Sequence, residues 1–373
     1  MKKLTGMGVG LLLAVLLSAC GGGGGGGDGD GDIGVALQPL AIDATNAMQV
    51  AAAVMDASAL VVDVGAPGGP STGVAVEGNA AEVDLANVIR ARLDLFSVLR
   101  DQVALGLVTG VDIGPEEDHC LVDGTVTISG KVNDQTFTTL TPGDTLTLVF
   151  KNCNDGDGLV LNGTMAFEVV SSTGTIDSDP ASDNLFIPPY NFTFDITLTN
   201  LSVTEAGSTF TTNGELTWTE TTTDGIFIIT DLSGNSLSIT TSDTTDTLED
   251  YLIKATFNQT TGAYTTDSGG DDGSGETVCC STLASTALGG TVDFDTTQDF
   301  AGVGDNFPDL GEMNITGATV AGGTLPSQVT MQAVDAQCVR LLVDPDGQGV
   351  TDTIVTTWVS LPTGVQDSAS CPP

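Results

Sequence analysis

Asn191-Phe192-Thr193-Phe194-Asp195-Ile196-Thr197-Leu198-Thr199 alternates polar and apolar side chains without a break. Successive side chains of an extended chain point to opposite faces, so Phe192, Phe194, Ile196 and Leu198 share one side and only polar groups occupy the other. This is the pattern of a half-buried antiparallel strand. The same texture runs outward in both directions, through 125–131, 145–150, 159–170, 214–221, 226–230 and 237–241, where Thr, Val, Ile and Phe recur between Gly, Asp and Asn. Asp155-Gly156-Asp157-Gly158 and Ser233-Gly234-Asn235 read as hairpin turns. A Gly/Asp/Ser stretch over 267–275 marks a soft boundary, and 288–361 is again β-patterned before a Cys-Pro-Pro tail. The expectation is a mainly β protein with an antiparallel region over 113–270 and a C-terminal β region over 271–373, hairpin-connected as a sandwich or an open curved sheet.

Upstream the period changes. Residues 41–112 form a helical segment: Asp43 or Thr45 can cap a helix through Met48, Ala51, Val54 and Met55, which Gly65-Ala66-Pro67-Gly68-Gly69-Pro70 ends. Val83, Leu85, Val88, Ile89, Phe96, Leu99 and Val103 follow at three- and four-residue spacing, the stripe of a second amphipathic helix. Two helices, 44–60 and 80–105, are therefore expected to pack on the sheet.

The N-terminus carries an address. Lys2 and Lys3 precede an apolar run over 9–17 that is too short to be a permanent membrane span. Leu17-Ser18-Ala19-Cys20 then resembles the lipobox of bacterial lipoproteins. That resemblance implies that 1–19 is a removed signal peptide, that Cys20 bears the lipid, and that Gly21, in place of Asp, directs the protein to the outer membrane, on its periplasmic face or at the cell surface. The competing reading is an ordinary secretory peptide with a cysteine at the cleavage site. Residues 20–40 form a tether rich in Gly and Asp. A glycine-rich chain of about a dozen residues spans roughly 20 Å, and no Lys-Ser/Thr continuation turns it into a phosphate loop.

Charge narrows the partners. The chain has 9 basic and 49 acidic residues, and loss of Lys2 and Lys3 with the leader leaves 7 against 49, a balance of −42. Nucleic acid and anionic headgroups both require clustered Lys and Arg, so neither is expected as a partner. The membrane is reached through the lipid, and a protein, glycan or lipid ligand stays open. With Cys20 lipidated, Cys120, Cys153, Cys279, Cys280, Cys338 and Cys371 remain, an even number that reads as disulfides in an exported chain. Cys120 and Cys153 bracket one β run and are expected to pair. Adjacent Cys279 and Cys280 would then take Cys338 and Cys371. A zinc site lacks a CxxC pair and a nearby histidine.

Leu288-Gly289-Gly290-Thr291-Val292-Asp293-Phe294, Met313-Asn314-Ile315-Thr316-Gly317-Ala318, Val343-Asp344-Pro345-Asp346-Gly347-Gln348-Gly349 and Thr356-Thr357-Trp358 resemble segments of uncharacterised exported proteobacterial proteins. The resemblance implies an architecture and no activity. Asp344, Asp346, Gln348 and Asp352 are spaced like the start of a calcium loop, although Val355 stands where an EF-hand has its bidentate Glu. Asn152, Asn154, Asp155 and Asp157 form a weaker calcium candidate. His119, the one histidine, lies beside Cys120, and without a neighbouring nucleophile it makes no catalytic pair. Trp218 and Trp358 read as core.

The sequence thus points to a lipid-anchored, acidic, non-enzymatic protein with a binding, adhesive or envelope-structural role. A carrier that holds an apolar ligand between sheet and helices is the first alternative, and a carbohydrate-active enzyme the second. A transmembrane barrel would also alternate, but three Tyr and two Trp are too few for aromatic girdles.

Overall fold

The computed structural model describes 37–59, four positions of the following segment (85, 88, 89 and 92), and 111–371 apart from 134–137, 155, 157, 178–185, 206, 270–279, 305 and 370. Each strand pairs with the one that follows it because the connecting turns are short, and short turns join antiparallel neighbours. The strands are β1 Val111–His119, β2 Asp123–Val132, β3 Thr145–Asn154, β4 Leu159–Ile176, β5 Phe186–Glu205, β6 Ser208–Thr222, β7 Phe227–Thr240, β8 Thr245–Asn258, β9 Ala263–Ser268, β10 Ser281–Ser285, β11 Gly290–Val303, β12 Leu310–Thr319, β13 Pro326–Asp335, β14 Cys338–Asp344 and β15 Asp352–Thr357. All fifteen form one sheet in chain order, with one variation. β9 and β10 lie end to end between β8 and β11, each pairing with both. The sheet therefore continues across the Gly/Asp/Ser stretch at 267–275, and it is one sheet, not the two layers of a sandwich.

The quoted stretch lies in the middle of β5, with Phe192, Phe194, Ile196 and Leu198 buried and Asp195, Thr197 and Thr199 exposed. Inward residues from β2 to β14 join a single core that includes Ile128, Phe167, Trp218, Phe294, Met331 and Leu341. A flat sheet of fourteen positions would be about 60 Å wide at 4.7–4.9 Å per strand. The helix α1, Ala47–Ala59, is only about 20 Å long and covers part of that width, and Leu85, Val88 and Ile89 of the following segment join the same core. The outer face carries polar ladders: Thr193 with Thr219 at 3.0 Å, Thr217 with Asp195 at 2.7 Å, Thr282 with Asp293 at 2.7 Å and Thr330 with Asn314 at 2.8 Å. A lipid-facing barrel wall would be apolar there.

α1 is buried nearly all round, with Ala47, Val50, Ala51 and Val54 fully enclosed, as an apolar helix inside a protein must be. Its start is fixed locally. Asp43 accepts the Thr45 N–H through its carboxylate and the Ala47 N–H through its carbonyl, while the Asn46 amide donates to the Ala41 carbonyl. The expected second helix, 80–105, falls mostly outside the described residues. Positions 85, 88, 89 and 92 are helical, Leu85, Val88 and Ile89 are buried, and the Arg92 guanidinium sits 5.9 Å from the Phe150 ring centre.

Two sequence expectations are corrected. Ser233-Gly234-Asn235 is not a turn, because β7 runs straight through it. Gly234 instead makes room for β8: a Cβ there would stand 2.5 Å from the Tyr251 hydroxyl, and a strand glycine often marks such a close approach. Cys338 and Cys371 pair with each other, not with Cys279 and Cys280. The chain after β15 makes a 3-10 turn at Trp358–Ser360 and folds back, with the Asp367 N–H donating to the Thr356 hydroxyl, and this return brings Cys371 to Cys338. Cys120 pairs with Cys153 as expected. Cys279 lies outside the described residues.

Neighbour pairing gives the sheet two rims. At the N-terminal rim, 38–42 crosses the ends of β11, β12 and β13: Leu40 N–H donates to the Thr291 carbonyl at 2.8 Å, Ala318 N–H to the Leu40 carbonyl at 2.7 Å, and Ile42 N–H to the Ser327 hydroxyl at 2.8 Å. Gly290 and Gly317 permit this crossing, since a Cβ on either would collide with the carbonyl of Gln38 or Leu40. The opposite rim holds the β4–β5, β6–β7 and β11–β12 connections and the C-terminal turn.

Candidate functional site

The β14–β15 turn was the first calcium candidate. Its carboxylates are engaged by the turn itself: Asp344 accepts the N–H of Gln348 at 3.1 Å and of Gly349 at 2.9 Å, and Asp346 accepts Gln348 N–H at 3.0 Å. Asp352 accepts the Thr351 hydroxyl at 2.9 Å. Asp344 and Asp346 thus share a donor, whereas Asp352 points its carboxylate to a different one. In the second candidate, Asn154 accepts Gly156 N–H at 2.8 Å, and Asn152 takes a left-handed backbone where β3 and β4 slip register. Asp155 and Asp157 lie outside the described residues. No group of three or more His, Cys, Asp and Glu side chains suited to a metal is found among the described residues.

His119 ends β1 at the surface, and the disulfide takes the thiol of Cys120 that a catalytic pair would need. The tryptophans are core. Trp218 is fully buried. Trp358 stacks on Phe307 at 5.8 Å, meets Phe300 edge-on at 6.4 Å, and donates its indole N–H to the Asp335 carbonyl at 3.1 Å.

Two groupings were not singled out from the sequence. On the inner face, Phe186, Tyr190, Phe192 and Phe194 form a row down β5 with ring centres 4.9–5.7 Å apart. Within the row the Tyr190 hydroxyl donates to Glu220 at 2.6 Å, and both side chains are buried. Trp218 precedes Glu220 by two positions on the same face of β6, and its indole N–H is buried without a hydrogen-bond partner. The alternation in 214–221 already assigned Glu220 to the inward side with Leu216 and Trp218, so this carboxylate was findable.

On the outer face, register sets Asp231, Lys254 and Asp267 side by side across β7, β8 and β9, with Asp295 and Asp299 on β11 beyond them. Lys254 reaches Asp231 at 3.7 Å in an exposed pair, and such pairs contribute little. Partial burial raises the pKa of Asp267, and repulsion from Asp299 adds to it, while Lys254 pulls the other way. Burial also raises that of Asp295, with Asp267 as the repelling neighbour. Only long-range register places these acids together, so sequence spacing held no signal for them.

No protein-family model, curated protein or solved structure matches the chain.

Proposed function

We propose that the chain is an exported lipoprotein, anchored at Cys20 and held at the outer membrane, whose β sheet serves a non-enzymatic binding, adhesive or envelope-structural role. The observation that carries this reading is the pair of disulfides, Cys120–Cys153 and Cys338–Cys371, one towards each outer strand of the sheet. Structural disulfides belong to oxidising compartments, and this agrees with the leader and lipobox at the N-terminus. The polar ladders on the outer face support a solvent-facing scaffold. Intact mass of the native protein is expected to show an acyl adduct on Cys20, and Cys20→Ser is expected to release the protein from membranes. Membrane retention of Cys20→Ser without any adduct overturns the proposal.

The aromatic row on the inner face of β5 favours a second reading, a carrier of an apolar ligand between sheet and helices. Native mass spectrometry is expected to find co-purifying lipid if this reading holds, and a ligand-free mass removes it. Calcium belongs to the proposal at the β14–β15 turn, where Asp344 and Asp346 converge on Gln348 N–H.

A further inference from the structure

The outer face changes character where β7 to β12 approach the rim that holds the β6–β7 and β11–β12 connections. Phe227, Ile229, Val303 and Leu310 are 49%, 39%, 52% and 50% exposed there. Their chain neighbours Ile228, Gly302 and Gly311 are buried, so all four point outward, as strand alternation requires. Register sets them in two adjacent rows. Phe227 lies opposite Asn258 and Val303 opposite Ala263, while Ile229 is linked across the strands through Thr256, Thr265 and Ala301 to Leu310. No ionisable side chain stands in either row. Four strand spacings, from β7 through β8, β9 and β11 to β12, make the strip about 19 Å long.

Charge begins at its borders. The next outward row reads Asp231, Lys254 and Asp267 across β7, β8 and β9, with Asp299 on β11 near enough to Asp267 to repel it. Lys254 is already drawn to Asp231 at 3.7 Å, so this border stays net negative. On the rim side, Asp224 of the β6–β7 turn accepts the N–H groups of Ile226 and Phe227 at 2.8 and 3.1 Å, and Asp309 immediately precedes Leu310. Single exposed apolar residues need no explanation, whereas an apolar patch rimmed by polar groups marks an interaction site.

The borders select the occupant. A second copy of the chain would set acids against acids, and nucleic acid or an anionic headgroup would meet the same repulsion. The chemistry that fits both parts is a segment with apolar side chains on one face and Lys or Arg along its flanks. About a dozen helical residues, at 1.5 Å each, match the length of the strip. We infer that the strip of Phe227, Ile229, Val303 and Leu310 is a docking site for a cationic amphipathic helix of another polypeptide. The inference rests on the binding role proposed above and not on the anchor. Opposite charge brings the partner in and sets its register, and apolar contact retains it.

A fluorescently labelled peptide of Leu and Lys, patterned to form one amphipathic helix, tests it. It is titrated with the full chain carrying Cys20→Ser, so that no lipid or detergent competes, and followed by anisotropy. Phe227→Ser with Ile229→Ser is expected to weaken binding about tenfold or more, and Val303→Ser with Leu310→Ser by a similar factor. All four side chains are exposed, so neither pair removes core. Asp267→Asn with Asp299→Asn is expected to weaken binding in low salt and to flatten its salt dependence. Two reference pairs, Leu121→Ser with Val122→Ser and Glu116→Gln with Glu117→Gln, are expected to leave the affinity unchanged. Binding that the reference pairs weaken as much as the strip pairs, or that oligolysine matches, is diffuse charge attraction and overturns the inference. Absence of binding also overturns it and leaves the broader binding role to other ligands. Self-association, or capture of phosphatidylcholine vesicles, that Phe227→Ser with Ile229→Ser abolishes assigns the strip to a second copy or to lipid and overturns it likewise.

Discussion

Among the described residues, β1 and β15 are the outer strands of the sheet, each paired on one side only, and both face the hazard that an open edge templates association with another chain. Their sequences treat it differently. β1 reads Val-Asp-Ile-Gly-Pro-Glu-Glu-Asp-His, with a register slip between Ile113 and Glu116 and exposed acids from Glu116 to Asp118. Proline, charge and a bulge all discourage pairing. β15 reads Asp-Thr-Ile-Val-Thr-Thr and has no such devices. It is covered by the returning tail: Gln366 donates to the Val355 carbonyl at 3.4 Å, Asp367 N–H to the Thr356 hydroxyl at 3.1 Å, and Cys371 is bonded to Cys338. One edge is protected by its own residues and the other by a distant segment, so the two should fail in different ways.

The largest effect is expected from opening the tail. Each disulfide closes a separation of 33 residues, so the chain-entropy contribution is similar for both, roughly 3–4 kcal/mol. Cys338→Ser with Cys371→Ser should lose that stability and also uncover β15, giving concentration-dependent association in light scattering. Cys120→Ser with Cys153→Ser should lose a similar amount in denaturant titrations yet stay monomeric. Association in the second variant and not in the first would reverse the comparison.

A slightly smaller loss tests what holds the tail. Trp358→Ala removes the stack on Phe307 and the bond to the Asp335 carbonyl, and is expected to cost about 3 kcal/mol or more. Its signature is earlier protease cleavage after β15 than at β1.

Converting the protected edge sharpens the contrast further. Pro115→Val with Glu116→Thr and Glu117→Thr should shift stability by less than about 1 kcal/mol while producing dimers detectable by sedimentation. A strictly monomeric variant would mean that the bulge alone suffices.

The exposed acids of β1 contrast with the partly buried Asp267 and Asp295 inside the sheet. A carboxylate whose folded pKa is raised binds its proton more readily in the folded state, so its contribution to stability is present at low pH. That contribution is lost as pH rises from the ordinary aspartate value, 3.8, through the folded one. Asp267→Asn is expected to raise the melting temperature at pH 7 and to flatten its rise on acidification towards pH 4.

A last test adds calcium at the β14–β15 turn, beside the tail-protected edge. At 10 mM, an ion bound with the affinity of extracellular modules would stabilise by roughly 1–3 kcal/mol. Asp344→Asn with Asp346→Asn should abolish the gain, and a melting curve indifferent to both calcium and chelator removes the ion.

Much of this architecture is written in local sequence. Period-two alternation located the core of β5 and most of its neighbours, because it depends only on which side of an extended chain faces water. The Cys120–Cys153 pair was legible for the same reason, since one short run of β structure separates the two thiols. Composition likewise gave the net negative charge, but not β1, whose acids at 116–118 read as a loop and form a strand only by pairing with β2. The tertiary structure decided the rest. Ser233-Gly234-Asn235 has the residues of a turn, yet Tyr251 from the neighbouring strand occupies the space that makes glycine necessary there. Cys338 meets Cys371 because the tail folds back over β15, and the outer acids meet through register across four strands. Such outcomes depend on which distant segments come to lie together, a property that no window of sequence contains.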